Sequence, residues 1–131
     1  MRDNSYQKVR YCKGTTGWSE WEWVNPPMTA GKEYRTTERY AGKPVYAMLY
    51  SGGASATTLS ISIPEDATKL LRYKVWTKDY LLPIGDPNKT SYYAYTCLNV
   101  NNPRQIVYYA DDKRDGYGNG KTVFIQAWYI K

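Results

Sequence analysis

Histidine is absent from the 131 residues. Imidazole is the commonest general base near neutral pH and the commonest metal ligand, so its loss excludes a Ser–His–Asp or Cys–His nucleophile. Cysteine is scarce: Cys12 and Cys97 match neither a zinc spacing nor a CxxC redox pair. They can bridge if the fold joins them, but buried free thiols in a reducing cytosol are the simpler expectation. No run of about 18 apolar residues is present to span a membrane. The start, MRDNSYQKVRYC, lacks an apolar h-region, so no signal peptide and no membrane insertion are expected. Heptads, repeats, low-complexity linkers and runs of five or more basic residues are missing as well.

Against one phenylalanine, Phe124, stand fifteen tyrosines and five tryptophans. Tyr and Trp join an apolar ring to a hydrogen-bonding end, which suits surfaces that must be both buried and wet. Sheets also enrich these rings for plain packing. Net charge is +6 and the pI about 9.2, so the surface attracts anionic partners: nucleic acid, acidic glycans, teichoic acids or membranes. A spread-out excess of this kind equally serves solubility.

The apolar pattern has period two, the mark of strands. Leu59–Ile63 alternates cleanly up to Pro64, and Leu71, Tyr73 and Val75 alternate with Arg72, Lys74 and Trp76. Val45–Tyr50, Gln105–Ala110 and Val123–Ile130 are apolar on both faces and need two covers. A packed sheet supplies one; loops or a second subunit must supply the other. Turn chemistry at Asn25-Pro26-Pro27, Ala41–Pro44, Ser51–Gly53, Ile84–Asn88, Asn101–Pro103 and Asp115–Gly120 separates the runs. Glu65–Leu70 is the one helix candidate, too short for more than a turn or one helical loop. The expectation is a single all-β domain over residues 1–131, an antiparallel sandwich or barrel.

Carboxylate pairs remain as a conceivable glycosidase centre: Glu20 with Glu22, Glu33 with Glu38, Glu65 with Asp66, and Asp111, Asp112 and Asp115. None has a spacing specific to a known glycosidase, so no catalytic centre is assigned. Gly118–Thr122 ends like a phosphate loop, but Asp115 stands where its first glycine belongs and a strand follows. Asp111–Gly116 has the look of a calcium loop, yet Lys113 occupies a ligand position. Neither cofactor nor metal is expected. Tyr73–Lys78 interleaves rings and cations as a single-strand platform does, but a two-faced strand does so merely by placing charges outward and rings inward. Nucleic acid is therefore not expected as a partner.

One region is less generic. Trp18-Ser-Glu-Trp-Glu-Trp-Val-Asn-Pro-Pro-Met28, then Glu33-Tyr-Arg-Thr-Thr-Glu-Arg-Tyr40 and Gly42-Lys-Pro-Val-Tyr46, closely resembles the C-terminal domain at the ends of tail fibre and related receptor-binding proteins of phages and prophages. The likeness is dense over residues 17–50; beyond Leu59 only the style of strands is shared, and 78–103 and 111–121 do not align. The resemblance implies a jelly-roll-like antiparallel β-sandwich, assembled as a homotrimer at the tip of a fibre. It implies adhesion to a bacterial surface polysaccharide or teichoic acid, a fibre shaft upstream of Met1, and a virion protein made in the host cytoplasm. A monomeric carbohydrate-binding module, or the same tip on a phage-tail-like bacteriocin, are the alternatives.

Within that region Trp21, Trp23, Pro26, Pro27, Tyr34, Arg35, Arg39 and Tyr40 are expected to build the fold or the trimer. Each proline holds its predecessor out of the helical region. Glu33, Arg35 and Thr37 should share one side of a strand and Tyr34, Thr36 and Glu38 the other, with a bulge or turn after Thr37. Arg35 and Arg39 should pair with Glu33, Glu38 or a neighbouring subunit's carboxylates. Receptor contacts are expected from the unaligned loops: Asp111, Asp112, Arg114, Asp115, Tyr117 and Asn119, with Tyr92 and Tyr95. There rings can stack on sugar faces and polar groups can bind hydroxyls or anions.

Overall fold

The computed structural model describes residues 6–53, 58–77, 84–85, 93–99, 101–110 and 122–131. Their strands are β1 (Gln7–Val9), β2 (Glu22–Asn25), β3 (Glu33–Tyr40), β4 (Lys43–Gly53), β5 (Thr58–Ser62), β6 (Lys69–Thr77), β7 (Ile84–Gly85), β8 (Tyr93–Asn99), β9 (Asn102–Ala110) and β10 (Thr122–Ile130). A 3-10 turn at Gly14–Thr16 is the one helical element among the described residues. Residues 65–66, where one helical loop was conceivable, form a turn, closed by the Ala67 N–H donating to the Pro64 carbonyl at 3.0 Å.

Six strands form one sheet in the order β1-β2-β3-β4-β10-β6, and four form a second, β5-β9-β8-β7. The strand nearest the C-terminus, β10, sits between β4 and β6, in unbroken register with β4. Its Val123, Ile125, Ala127 and Tyr129 point inward and are fully buried, while the intervening positions are less so. That alternation is the period-two signal of the sequence turned into packing. Register carries the inward face across the sheet: Ile125 lies between Tyr50 and Val75, and Ala127 between Met48 and Tyr73. Ile106 and Tyr108 of β9, with Ile63 and Ala67, close this core from the other side. Burial of each large side chain here contributes about 1.5–3 kcal/mol.

One expectation changes. The larger sheet is mixed, not antiparallel, because β2 runs parallel to β3 through the pair Trp23 and Thr36. The connection crosses to β4, where Ala30 bridges Leu49 and the Gly31 N–H donates to the Leu49 carbonyl at 2.8 Å. Met28 (φ 51°) and Gly31 (φ 77°) supply the left-handed steps that this reversal needs. Trp76 lies with Arg72 and Lys74 on the outer face, as its alternation with Tyr73 and Val75 gave it, and stacks on Phe124 at 5.7 Å.

The second cover needed by the doubly apolar β4 comes partly from the chain itself. On its outer face Val45 and Ala47 are 1% exposed, as is the neighbouring Tyr34. Trp23 packs edge-on against Tyr34 at 5.4 Å, and the Thr29 N–H donates to the Tyr34 hydroxyl at 3.1 Å. The Thr36 hydroxyl donates to the Val45 carbonyl at 2.8 Å, so this small second core is closed by side chain and backbone together. Farther along the same face Phe124, Gln126 and Trp128 are only half-buried.

On the core side of the large sheet the Tyr129 hydroxyl donates to Glu33, whose other oxygen accepts from the Lys131 ammonium at 2.7 Å. Burial, then the Glu33 contact, pushes Tyr129 well above the ordinary tyrosine range, and burial raises Tyr50 to about 12. Lys131 is also raised: burial pulls it down, but hydrogen bonds to Asp66 and Glu33 outweigh that. Each folded pKa exceeds its unfolded value, so the folded state holds more protons once pH passes about 10. The stability these groups contribute is complete below pH ~10 and falls as pH climbs toward 12. Melting temperatures recorded from pH 8 upward are expected to be flat to about 10 and then to drop. Tyr50→Phe should soften the drop; an equal drop in that variant would remove Tyr50 from the account.

Candidate functional site

The segment from Tyr6 to Asn25 is the most exposed part of the described chain. A small hairpin shapes it. The Tyr11 N–H donates to the Ser19 hydroxyl oxygen at 2.9 Å, the Ser19 N–H returns to the Tyr11 carbonyl at 2.9 Å, and the Lys13 N–H reaches the Gly17 carbonyl at 2.6 Å. Gly14 (φ 65°) and Gly17 (φ 96°) allow the reversal between them. Ser19 is buried by these contacts, the hinge pin of an otherwise open arm.

This hairpin folds Trp18 back over Arg10. The Arg10 guanidinium lies 4.7 Å from the Trp18 ring centre and 4.6 Å from that of Trp21. Both rings remain more than half exposed, at 58% and 52%. Tyr6, Val9, Tyr11 and Val24 are exposed beside them in sequence, and Lys8 sits 4.2 Å over the Trp23 ring. A guanidinium between two indoles holds their spacing, at about 0.5–1 kcal/mol per exposed cation–π contact. The result is an aromatic platform with positive charge within it.

A buried carboxylate ties this arm to the sheet. Glu22 is 4% exposed and accepts from Arg35 Nε at 3.1 Å, and its two oxygens accept from Arg39 Nη2 at 2.6 and 2.8 Å. Glu20 accepts from Arg35 Nη1. Arg35 is raised above its ordinary value: burial lowers it, but hydrogen bonds to Glu22 and Glu20 more than offset that. Arg39 Nη1 also donates to the carbonyls of Thr36, Thr37 and Glu38 at 3.1–3.3 Å, clamping the irregular stretch of β3. The register shift there, between Arg35 and Arg39, agrees with the expected bulge or turn.

The partners of these arginines differ from the sequence reading. Glu33 binds Tyr129 and Lys131, and Glu38 accepts from Arg72 Nη2 at 2.7 and 2.8 Å. Arg35 and Arg39 turn instead to carboxylates on the Trp-rich segment, because the parallel β2–β3 pair sets Glu22 beside Arg35 on the core-side face. Of the carboxylates considered as glycosidase pairs, Glu20 and Glu22 meet at Arg35, whereas Glu33 and Glu38 take separate partners.

Of the other motif residues, Tyr34 is a core residue, and Pro26 and Pro27 are half-buried in the link to β3. Trp21 and Tyr40 are exposed. Asp111, Asp112, Arg114, Asp115, Tyr117, Asn119 and Tyr92 lie outside the described residues; Tyr95 sits in β8 opposite Tyr109. Cys12 and Cys97 are free thiols, and Cys12 is exposed rather than buried. Arg10, Tyr11 and Trp18 were not picked out from sequence; no spacing rule announces that a hairpin brings Trp18 and Trp21 onto one cation.

Among the described residues no group of three or more Cys, Asp or Glu side chains could hold a metal, and no helix is long and apolar enough to cross a membrane. A second feature lies on the outer face of the large sheet: an open pocket of about 310 Å³ lined by Glu38, Arg39, Tyr40, Val45, Lys69, Leu71 and Arg72. No family model, no curated protein and no solved structure matches this chain.

Proposed function

We propose that this chain is the receptor-binding tip of a phage tail fibre, adhering without covalent chemistry to a bacterial surface glycan or teichoic acid. The observation that carries this reading is the exposed platform of Trp18, Arg10 and Trp21, with Tyr6 and Tyr11 beside it in the arm. Indole and phenol rings give large contact area at low entropic cost, stack on sugar faces, and recur as anchors in binding surfaces. Contiguous exposed apolar surface of this kind marks an interaction site more often than a solvated face. The net charge of +6 favours an anionic envelope polymer, and the resemblance over residues 17–50 supports the fibre setting.

A jelly-roll-like arrangement and a homotrimer on an upstream shaft belong to the same reading. Three copies would let modest sites act together, since linked binding events raise avidity without new contacts. The half-buried outer row of Phe124, Gln126 and Trp128 is where a neighbouring subunit would find apolar surface. The rival reading, a monomeric carbohydrate-binding module, draws on one observation: Val45 and Ala47 are already covered by their own chain.

Light scattering on a size-exclusion column, paired with a pull-down on isolated bacterial envelopes, tests the proposal. A mass near three times 15.2 kDa with envelope binding is the expected result. A trimer that binds no envelope would overturn the adhesion reading. A monomer that binds neutral glycans would favour the solitary module.

A further inference from the structure

The pocket on the outer face combines an apolar side with charged groups at its rim. The half-buried Leu71, with the buried Val45 behind it, supplies the apolar side; Glu38, Tyr40, Lys69 and Arg72 line the rest. At about 310 Å³ it sits at the small end of the range for ligand sites, room for one or two sugar units. Three of its lining groups are cations, and their compensation is unequal. Arg39 is matched by Glu22, and Arg72 by Glu38 at 2.7 Å. Lys69 has no carboxylate partner among the described residues. Its ammonium donates to the Tyr40 hydroxyl at 2.7 Å and sits 4.7 Å from the ring centre. One positive charge is therefore left over at the rim.

Arg72 keeps donors beyond its ion pair. Only its Nη2 is used by Glu38, and its guanidinium carbon lies 4.6 Å from the Trp128 ring centre. A planar fork beside an indole, with further N–H groups to offer, is suited to an oxyanion. Glu38 and the Tyr40 hydroxyl can meet neutral sugar hydroxyls, and the half-buried Leu71 can meet a C–H face. The set has a donor fork, a free ammonium, acceptors and an apolar side, which is the complement of a saccharide carrying one negative group.

We propose that this pocket is a subsite for an anionic saccharide unit, a sugar or polyol bearing a phosphodiester or a carboxylate. Lys69 and Arg72 bind the anion, and Glu38 and Tyr40 bind hydroxyls. This rests on the adhesion reading above, to which it adds a ligand class and a site separate from the Trp18–Trp21 platform.

Calorimetric titration of the intact protein at low ionic strength tests it, using glycerol-phosphate oligomers, oligogalacturonate and a neutral maltooligosaccharide. Two-dimensional NMR follows the Trp128 indole N–H alongside, because that ring touches Arg72. One or both anionic oligomers should bind and shift the Trp128 resonance, the stronger one identifying phosphate or carboxylate as the natural group, while the neutral oligomer does not. Lys69→Gln and Arg72→Gln should each weaken binding by about tenfold or more, which corresponds to about 1.4 kcal/mol. Arg72→Lys should restore only part of the loss, since it keeps the charge and loses the fork. Lys69 and Arg72 are exposed or rim side chains, and unchanged circular dichroism would show that the variants fold. Equal binding of the neutral oligomer, wild-type binding by Lys69→Gln and Arg72→Gln, or no binding of any oligomer would overturn the subsite. Envelope pull-downs separate this from the adhesion reading. Variants that lose the oligomers yet hold envelopes like the wild type confine the anion to this pocket and leave adhesion to the platform. A wild type that binds oligomers but no envelope keeps the subsite and removes the adhesion reading.

Discussion

Glu22→Ala is expected to be the most damaging single polar substitution in the described fold. Its carboxylate is 4% exposed and holds two guanidinium groups, so its removal leaves both cations without their shared anion. Losing one partner of a buried ion pair costs about 3–5 kcal/mol. The Arg35 and Arg39 side chains keep 22% and 35% exposure, so solvent recovers part of that, and about 2–3 kcal/mol is expected. For a domain of this size the melting temperature should fall by roughly 10 °C. Glu20→Ala supplies the contrast. It contacts the same Arg35, but its side chain is 74% exposed, and a surface pair of that kind is worth under about 1 kcal/mol. Urea unfolding of both variants checks the ordering. Similar losses from the two would mean that Glu22 is not the post on which the arm is fixed. Arg39→Ala combined with Glu22→Ala should be less harmful than the sum of the two, since the second change removes a charge the first had stranded.

The second large effect concerns binding rather than stability. Trp18→Ala and Trp21→Ala together should abolish most envelope binding, with a loss of at least tenfold for each ring, because truncation of an aromatic anchor typically costs about 2 kcal/mol or more. Stability should change little. Both rings are more than half exposed, and the Glu22 ion pairs and Ser19 hydrogen bonds that hold the arm do not involve their side chains. Arg10→Ala should have an intermediate effect, since the rings stay while the cation that spaces them is gone. Envelope pull-down with melting temperatures read on the same samples separates the two roles. Normal binding by the double variant would remove the platform from the adhesion reading. A matching fall in melting temperature would show the rings to be structural.

Much of the architecture could be read from residue order because it depends on short-range pattern. Val123–Ile130 reads as a strand apolar on both faces, and it is a strand whose Val123, Ile125, Ala127 and Tyr129 are fully buried while Phe124, Gln126 and Trp128 opposite are half-buried. The stop at Pro64, the reversal at Ala41-Gly42 and the break after Thr37 are local backbone preferences, which two or three residues settle among themselves. The lack of histidine is likewise a chemical fact that no fold alters.

What escaped that reading are contacts between distant segments. The parallel β2–β3 pairing gave Arg35 and Arg39 their true partners, 13 and 17 positions upstream, although Glu33 and Glu38 stood nearer in sequence. Alternation within β6 gave Trp76 its face, but only register across the sheet set Phe124 opposite it as a stacking partner. The Trp18–Arg10–Trp21 stack and the Lys69–Arg72 pocket each join residues from different strands or turns, and neither has a signature in spacing. Residue order dictates which stretches become strands, because period and turn chemistry act over a few residues. Partner choice across strands depends on register and chain reversal, and those are settled only when the whole sheet closes on its core.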